Sequence, residues 1–257
     1  MKTCIIRGTQ NKSIRRFLAA ALWILIWQCL YWFVGEDLLL SSPWIVVTRL
    51  WQLAGTAEFW GTVGRSCLGI VAGFMGGVIL GTVLGVLTSG HGAFYEFVRV
   101  PMNLIKAIPV ASFIILTLLW IPSRRLSVFI SLLMVLPMVW ANVDQGVSST
   151  DRNLLEVAKV YGFSRWKTLR HVYLPAVLPF LKSASKVALG FAWKSGIAAE
   201  VIVTPLGFIG KKLYDAKVTL ETADMFAWTA VVILLSVCIE KLFGWLLDQL
   251  GSGEVRK

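Results

Sequence analysis

Long uncharged apolar runs alternate with short polar stretches along this chain. A helix rises about 1.5 Å per residue, so about 20 apolar residues cross about 30 Å of hydrocarbon. The first such run is 17–34 and the second 66–89, both without a charge. A weaker third run covers 108–121, starting as early as Asn103, with Pro109 inside. The fourth is 126–143 and holds Pro137. The fifth lies within 176–203 and contains Lys182, Lys186, Lys194 and Glu200; the sixth is 225–247, with Glu240 and Lys241 near its end. The pattern predicts an all-α polytopic membrane protein of about six transmembrane helices.

These runs divide the chain. Residues 1–58 hold an N-terminal tail, the first span and a connector; residues 59–250 hold a five-span core with a polar loop at 151–175. The connector, 35–62, carries Glu36, Asp37 and Glu58, and a short surface helix is expected near 43–53. Lys2, Arg7, Lys12, Arg15 and Arg16 precede the first run with no acid among them. That resembles a signal peptide, but the run is longer than the usual ~7–15 apolar residues and no small-residue cleavage site follows. It reads as an uncleaved span entered from the cytoplasm. Six spans put both termini on one side. Fourteen Lys and Arg fall in the segments this places inside, Arg99 and Lys106 included, against seven outside. The bias follows the positive-inside rule, with Arg124 and Arg125 against it.

Composition narrows the class. Of 257 residues 57% are hydrophobic and 15% charged, with a net charge of +11. Soluble domains run at about 45–50% apolar and about 25% charged. An ordinary soluble enzyme and a disordered chain are both excluded. The basic excess belongs to the flanks of spans rather than to nucleic-acid binding. The four cysteines, Cys4, Cys29, Cys67 and Cys238, form no CxxC pair. They read as small hydrophobes.

Gly69, Gly73, Gly77, Gly81 and Gly85 recur every four residues in the second span. One turn is about 3.6 residues, so they form a slowly rotating stripe. Such stripes let helix backbones approach closely in lipid, where no hydrophobic force drives packing. A helix-packing seam is expected there.

The polar stretch Asp151 to Pro175 is long enough for two short helices. Leu154, Leu155, Ala158 and Tyr161 recur at helical spacing, Gly162 can end the first helix in a left-handed conformation, and Ser164 is a good N-cap for a second, through His171. Pro175 stands at the entry to the fifth span. An amphipathic hairpin on the basic side suits docking onto a soluble partner or lying in the lipid headgroups, and spacing alone leaves both open.

Glu156, Ala158, Gly162, nine further residues and then Val172-Tyr173-Leu174-Pro175 resembles the signature loop of importer-type ABC transporter permeases. That signature reads Glu-Ala-Ala, three residues, Gly, nine residues, Ile-x-Leu-Pro. Here Val157 stands for an alanine and Val172 for the isoleucine. The wider chain, from about Phe59 to Leu247, is similar to the nitrate, taurine and aliphatic-sulfonate branch through Tyr161-Gly162, Leu174-Pro175, Trp193 and Ala199-Glu200. The resemblance implies the type I importer permease fold. It implies two permease subunits, expected as a homodimer in membrane lipid, forming a pathway for a small solute; an anion such as a sulfonate, taurine or nitrate is expected, and the net positive charge does not select among these or a vitamin precursor. It also implies two separate ATPase subunits, which carry ATP and Mg and grip the loop from the cytoplasm, and an extracytoplasmic substrate-binding protein. Glu156 would belong to the docking loop, Gly162 would turn it, and Leu174-Pro175 would anchor its exit. Selectivity would rest with the binding protein.

Two charges fall within the fifth span. A central charge costs roughly 2.5–3.5 kcal/mol on insertion scales, so Lys194 is expected to face a cavity or a partner. Glu200 lies six residues on, about 240° around an ideal helix, so the two do not share a face. Both are candidates for the translocation pathway; a structural charge satisfied by a neighbouring helix is the alternative. Lys182 and Lys186 are expected to snorkel.

Other chemistries find little support. Gly207-Phe208-Ile209-Gly210-Lys211-Lys212 has Pro205 where a P-loop needs glycine and Lys212 where it needs a hydroxyl, and is expected to be a Gly-rich outer turn. Gly64-Arg65-Ser66-Cys67-Leu68 lacks the last glycine of a nucleophile elbow, and only His91 and His171 are available as bases. No metal-ligand cluster is evident. A polytopic membrane enzyme should show paired carboxylates or histidines at one depth, and a secondary carrier internal repeats and broken spans; the sequence shows neither.

Overall fold

A computed structural model of the protein describes residues 12–252, so Cys4 and the charges Lys2, Arg7, Arg256 and Lys257 lie outside the described residues. Every regular element described is helical. Five helices are long and apolar enough to cross a membrane: α1 (Lys12–Val34), α3 (Ala57–Thr88), α6 (Ser123–Ser148), α9 (Leu174–Val203) and α11 (Thr222–Ser252). Shorter helices join them: α2 (Pro43–Ala54), α4 (Gly92–Ala107), α5 (Val110–Thr117), α7 (Arg152–Val160), α8 (Arg165–Thr168) and α10 (Ile209–Val218).

The centre of the fold is α6, packed between α3 and α9. The glycine stripe of α3 lies along this contact. A β-carbon on Gly77 would sit 2.6 Å from Val135 Cβ, and on Gly81 and Gly85 2.8 Å from Val139 Cβ and Val143 Cβ. At Gly73 it would run into the Val128 carbonyl, while Gly69 faces Ser127 and Val128 more loosely. The three valines are fully buried. Glycines and valines both step by four, so the ridge of one helix enters the groove of the other with the backbones nearly touching. Beside this seam, Gly196 holds α9 against both Ile70 of α3 and Ser131 of α6, and Ser131 Oγ donates to the Ala192 carbonyl at 3.0 Å. No break occurs at Gly196.

These contacts also fix direction. Gly69 meets Ser127 and Gly85 meets Val143, so α3 and α6 run parallel. The chain must therefore return across the bundle between them. It does so through α4 and α5. Tyr95 of α4 stacks on Trp140 in the later half of α6, and Ile114 of α5 packs with Leu126 and Ile130 at its start. Next, α9 runs antiparallel to α6, with Gly146 against Val177 and Ala199 beside Ile130. In turn α11 runs antiparallel to α9, where Trp193 Nε1 donates to the Val232 carbonyl at 3.1 Å and Lys186 approaches Asp248 at 3.5 Å. The 151–173 segment and the end of α11 thus share one face of the bundle; α2 and α10 lie at the other.

The structure corrects the expected third span. Residues 108–121 are not one helix: α4 and α5 meet at 106°. Pro109 has no N–H, and its ring forces Ile108 into an extended conformation (φ −78°, ψ 130°). The eight residues of α5 rise only about 12 Å, so the crossing needs α4 as well. Glu96, Arg99 and Lys106 interrupt the apolar pattern of α4, which hid it; Arg99 bonds Glu96 at 3.0 Å. Arg99 and Lys106 therefore lie on a helix, α4, and not in an irregular connecting loop. The bent pair has the form of a broken span or a re-entrant turn, a feature the sequence did not show.

The connector ends sooner than expected, because α3 starts at Ala57, where Thr56 Oγ1 accepts the Phe59 N–H at 3.3 Å. Within the connector, α2 begins on the Ser42 cap with Pro43 in its first turn. Arg49 then forks onto Asp224 at the start of α11, with Nη2 2.9 Å from Oδ2. By contrast α1 stands at the edge: none of its 17–34 stretch is buried, and Trp27 meets Phe226 at 5.8 Å.

Gly77→Ala is expected to lower the unfolding temperature in detergent, at a cost of about 1–3 kcal/mol, because the α3–α6 seam must open to admit the methyl group. Gly64→Ala, where nothing lies within 4 Å, is the control and should leave it unchanged. Equal melting of the two variants would show that the seam does not set stability.

Candidate functional site

Two places gather the polar groups singled out in the sequence. The first is the surface segment after α6. Asp151 caps α7 by accepting the Asn153 N–H at 2.9 Å. The helix ends at Gly162, whose φ of +63° is left-handed. There the Gly162 N–H donates to the Lys159 carbonyl at 3.1 Å and the Phe163 N–H to the Ala158 carbonyl at 2.9 Å. This is the paired closure of a Schellman motif, and it needs a residue that tolerates a positive φ. Ala158 is buried beneath the turn, while Glu156, Val157, Val160 and Tyr161 point outward, the last two 83% and 76% exposed.

The expected second helix is not separate. Ser164 Oγ accepts the Lys167 N–H at 3.3 Å and opens α8, but a π-helical turn, Leu169–Tyr173, carries the chain straight into α9. Residues Arg165–Val203 form one continuous 39-residue helical stretch. Pro175 explains the wider turn. Its ring clashes with the carbonyl four residues back in α-helical register, and an i→i−5 bond from Leu174 N–H to the Leu169 carbonyl relieves it. Val172 is buried in this turn; Leu174 and Pro175 remain exposed. The segment is thus one short helix folded back on the extended foot of α9.

The second place is buried. Glu200 is 1% exposed. Its Oε2 accepts from Ser66 Oγ of α3 at 2.8 Å and from the Gly210 N–H of α10 at 3.2 Å, while Oε1 is buried without a hydrogen-bond partner among the described residues, with Ser127 of α6 nearby. Ser66 Oγ in turn accepts the Ile209 N–H at 3.0 Å. The N-terminus of α10 has no side-chain cap of its own, so Glu200 and Ser66 together supply the acceptors its first N–H groups lack. A β-carbon on Gly210 would strike Glu200 itself, which is why only glycine fits there. One carboxyl joins three helices, α3, α9 and α10. Ser66, Ser127 and Gly210 were invisible as a site in the sequence; their only signal is small polar or flexible residues within otherwise apolar surroundings.

Lys194 lies apart from this cluster. It is exposed on the outer side of α9 and bonds no described residue, whereas Glu200 faces inward. The two pathway candidates are therefore separated, and Glu200 occupies the interior of the subunit. The 207–212 stretch is likewise not a simple turn: Gly207 turns at φ +83°, but Ile209 onward is α10, with Lys212 on Glu58 at 2.6 Å and Arg65 Nε on the Gly207 carbonyl at 2.8 Å. Cys29, Cys67 and Cys238 are free, His91 lies in a loop and His171 in the π turn.

The family described as binding-protein-dependent transport system inner membrane component matches residues 73–251. The chain belongs to this family. It is a multi-pass ABC importer permease, a transport component whose ATP hydrolysis resides in a separate subunit. Its partners are of the kind the family works with, a substrate-binding protein and ATPase subunits. Among curated relatives, SsuC of Escherichia coli (strain K12), a permease protein named for aliphatic sulfonates transport, is 29% identical over 82% of this chain and 77% of its own length. The nitrate import permease protein NrtB of Leptolyngbya laminosa is 24% identical over 95% of this chain and 91% of its own. Among solved structures, an amino acid ABC transporter chain shares the fold with a TM-score of 0.59 at 14% identity, covering 79% of this chain and 95% of that chain.

Glu200→Ala is expected to leave Ser66 and Gly210 as buried donors without an acceptor, costing about 1–3 kcal/mol for each. Thermal unfolding of the purified permease measures this, with Lys194→Ala as a silent comparison. A Glu200→Ala protein as stable as wild type would mean that the carboxyl holds nothing together.

Proposed function

We propose that two copies of this permease form the translocation pathway for a small anion such as a sulfonate, taurine or nitrate. Two ATPase subunits, binding ATP and Mg, grip α7 from the cytoplasm, with both termini on that side. An extracytoplasmic binding protein delivers the solute to the opposite face. The observation that carries this reading is the α7 handle. It is a short helix locked by the Schellman turn at Gly162 and presenting Val157, Val160 and Tyr161 at the end of the bundle away from α2 and α10. Apolar side chains this exposed, on a helix lined with Glu156 and Lys159, suit a groove on a soluble partner. The foot of α9, on which α7 folds back across the Gly162 turn, runs unbroken from Arg165 into the span carrying Lys194, so movement of α7 passes to that span. ATP-driven closure would then rock the spans between inward-open and outward-open states.

The anionic class rests on Lys194, a cation exposed within a span and bonded to no described residue. A charge at that depth is costly unless it meets water or an opposite charge. The names of SsuC and NrtB, aliphatic sulfonates and nitrate, denote solutes of matching charge.

Gly162→Asp places a β-carbon in the left-handed region, at a cost of about 1–2 kcal/mol, and opens the turn. It is expected to abolish co-purification of the ATPase and uptake together. Normal association and uptake would remove α7 from the docking role, as would labelling of a cysteine at Glu156 from outside the cell. Lys194→Met should keep ATPase association and lower uptake of an anionic solute about tenfold or more, the loss of one charge-assisted contact. Unchanged uptake would refute the pathway role of Lys194.

A further inference from the structure

A groove of about 750 Å³ opens between the last turns of α3 and the foot of α9, on the same face of the bundle as α7. Its floor is hydrocarbon: Val83 and Val86 from α3, Val147 from α6, and Val177, Leu178 and Leu181 from α9. Its rim differs. Ser89 and Gly90, where the chain leaves α3, face Trp166 and Arg170 on the foot of α9. Trp166 is 69% exposed, and Arg170 is exposed and paired with no acid among the described residues. From Leu174 to Leu181 the groove descends about 10 Å into the span.

We propose that this groove is a binding site for an anionic phospholipid, with one acyl chain on the valine and leucine floor and the phosphate on Arg170. The polarity gradient carries the inference. A soluble partner reaches the rim but not a floor lying between two spans. A zwitterionic or purely apolar occupant would leave the guanidinium without a net counter-charge. An occupant with an anion at one end and hydrocarbon at the other satisfies both ends at once. Trp and Arg at the mouth sit at headgroup depth, where an indole shields the edge of the hydrocarbon and a cation attracts acidic lipid. Because the groove is walled by the foot of α9, its occupant would touch the element that joins α7 to the spans.

The test uses the full permease with its ATPase partner in phosphatidylcholine vesicles that carry a trace of photoactivatable phosphatidylglycerol or, separately, photoactivatable phosphatidylcholine. Cross-linked peptides are mapped by mass spectrometry. The proposal expects labels on residues 83–90 and 174–181, with phosphatidylglycerol favoured about fivefold, the preference one basic group provides at a membrane surface. Arg170→Gln should erase that preference while leaving the apolar labelling. Val83→Trp, which fills the groove from an exposed position, should remove both labels while the unfolding temperature stays that of wild type. Three results would overturn the proposal: no label in the groove, an undiminished preference in Arg170→Gln, or efficient cross-linking of a groove cysteine to a second copy of the chain.

Discussion

Everything in this permease is hung on the contact between α3 and α6. Within lipid the hydrophobic effect does not drive helices together, so a fold needs surfaces that fit closely enough for dispersion alone to hold them. Four glycines of α3 meet the α6 backbone and its row of valines at distances that no side chain would permit. That fit sets α3 and α6 parallel. Parallel order then forces α4 and α5 to carry the chain back across the bundle, and α9 packs beside the seam against both helices. The bend at Pro109 is tolerated because α5 lies against Ile130 and Ala199 rather than alone in lipid.

Glu200 plays a different part. A buried carboxyl is expensive to desolvate, and here one of its oxygens is met by a serine and a backbone amide from two other helices. Its value is geometric: it ties the end of α9 to the start of α10 and to α3 of the central seam. The face of the bundle that carries α2 and α10 is thereby joined to the spans, while at the other end the uninterrupted foot of α9 joins α7 to the same span. A single helix links both faces, and such a link is what alternating access requires of a permease.

The elements that could be read in advance share a property: their signal is local. The glycine stripe needs only a period of four. The stop at Gly162 and the cap at Ser164 need only neighbouring residues. The signature from Glu156 to Pro175 is a fixed spacing. The elements that could not be read are those decided by partners far along the chain. The crossing by α4 hides behind Glu96, Arg99 and Lys106, and its membership in the bundle appears only when Tyr95 finds Trp140. The fusion of α8 to α9 hides behind Pro175, whose usual meaning is a helix boundary, until a π turn takes up the clash. Ser66 finds its partner, the carboxyl of Glu200, 134 residues further on.

Composition and span lengths were enough to make this an all-helical membrane protein, because hydrocarbon thickness and backbone hydrogen bonding leave so few ways to cross a bilayer, and the likeness of the 151–175 loop to a family signature added the permease. Which helices run parallel, where the third crossing bends, and which of Lys194 and Glu200 turns inward depended on close packing in three dimensions. A charge in a span announces its cost in the sequence. Whether that cost is met by a solute, by lipid or by the protein's own serines is settled by which way the helix is turned, and the α6 seam does the turning.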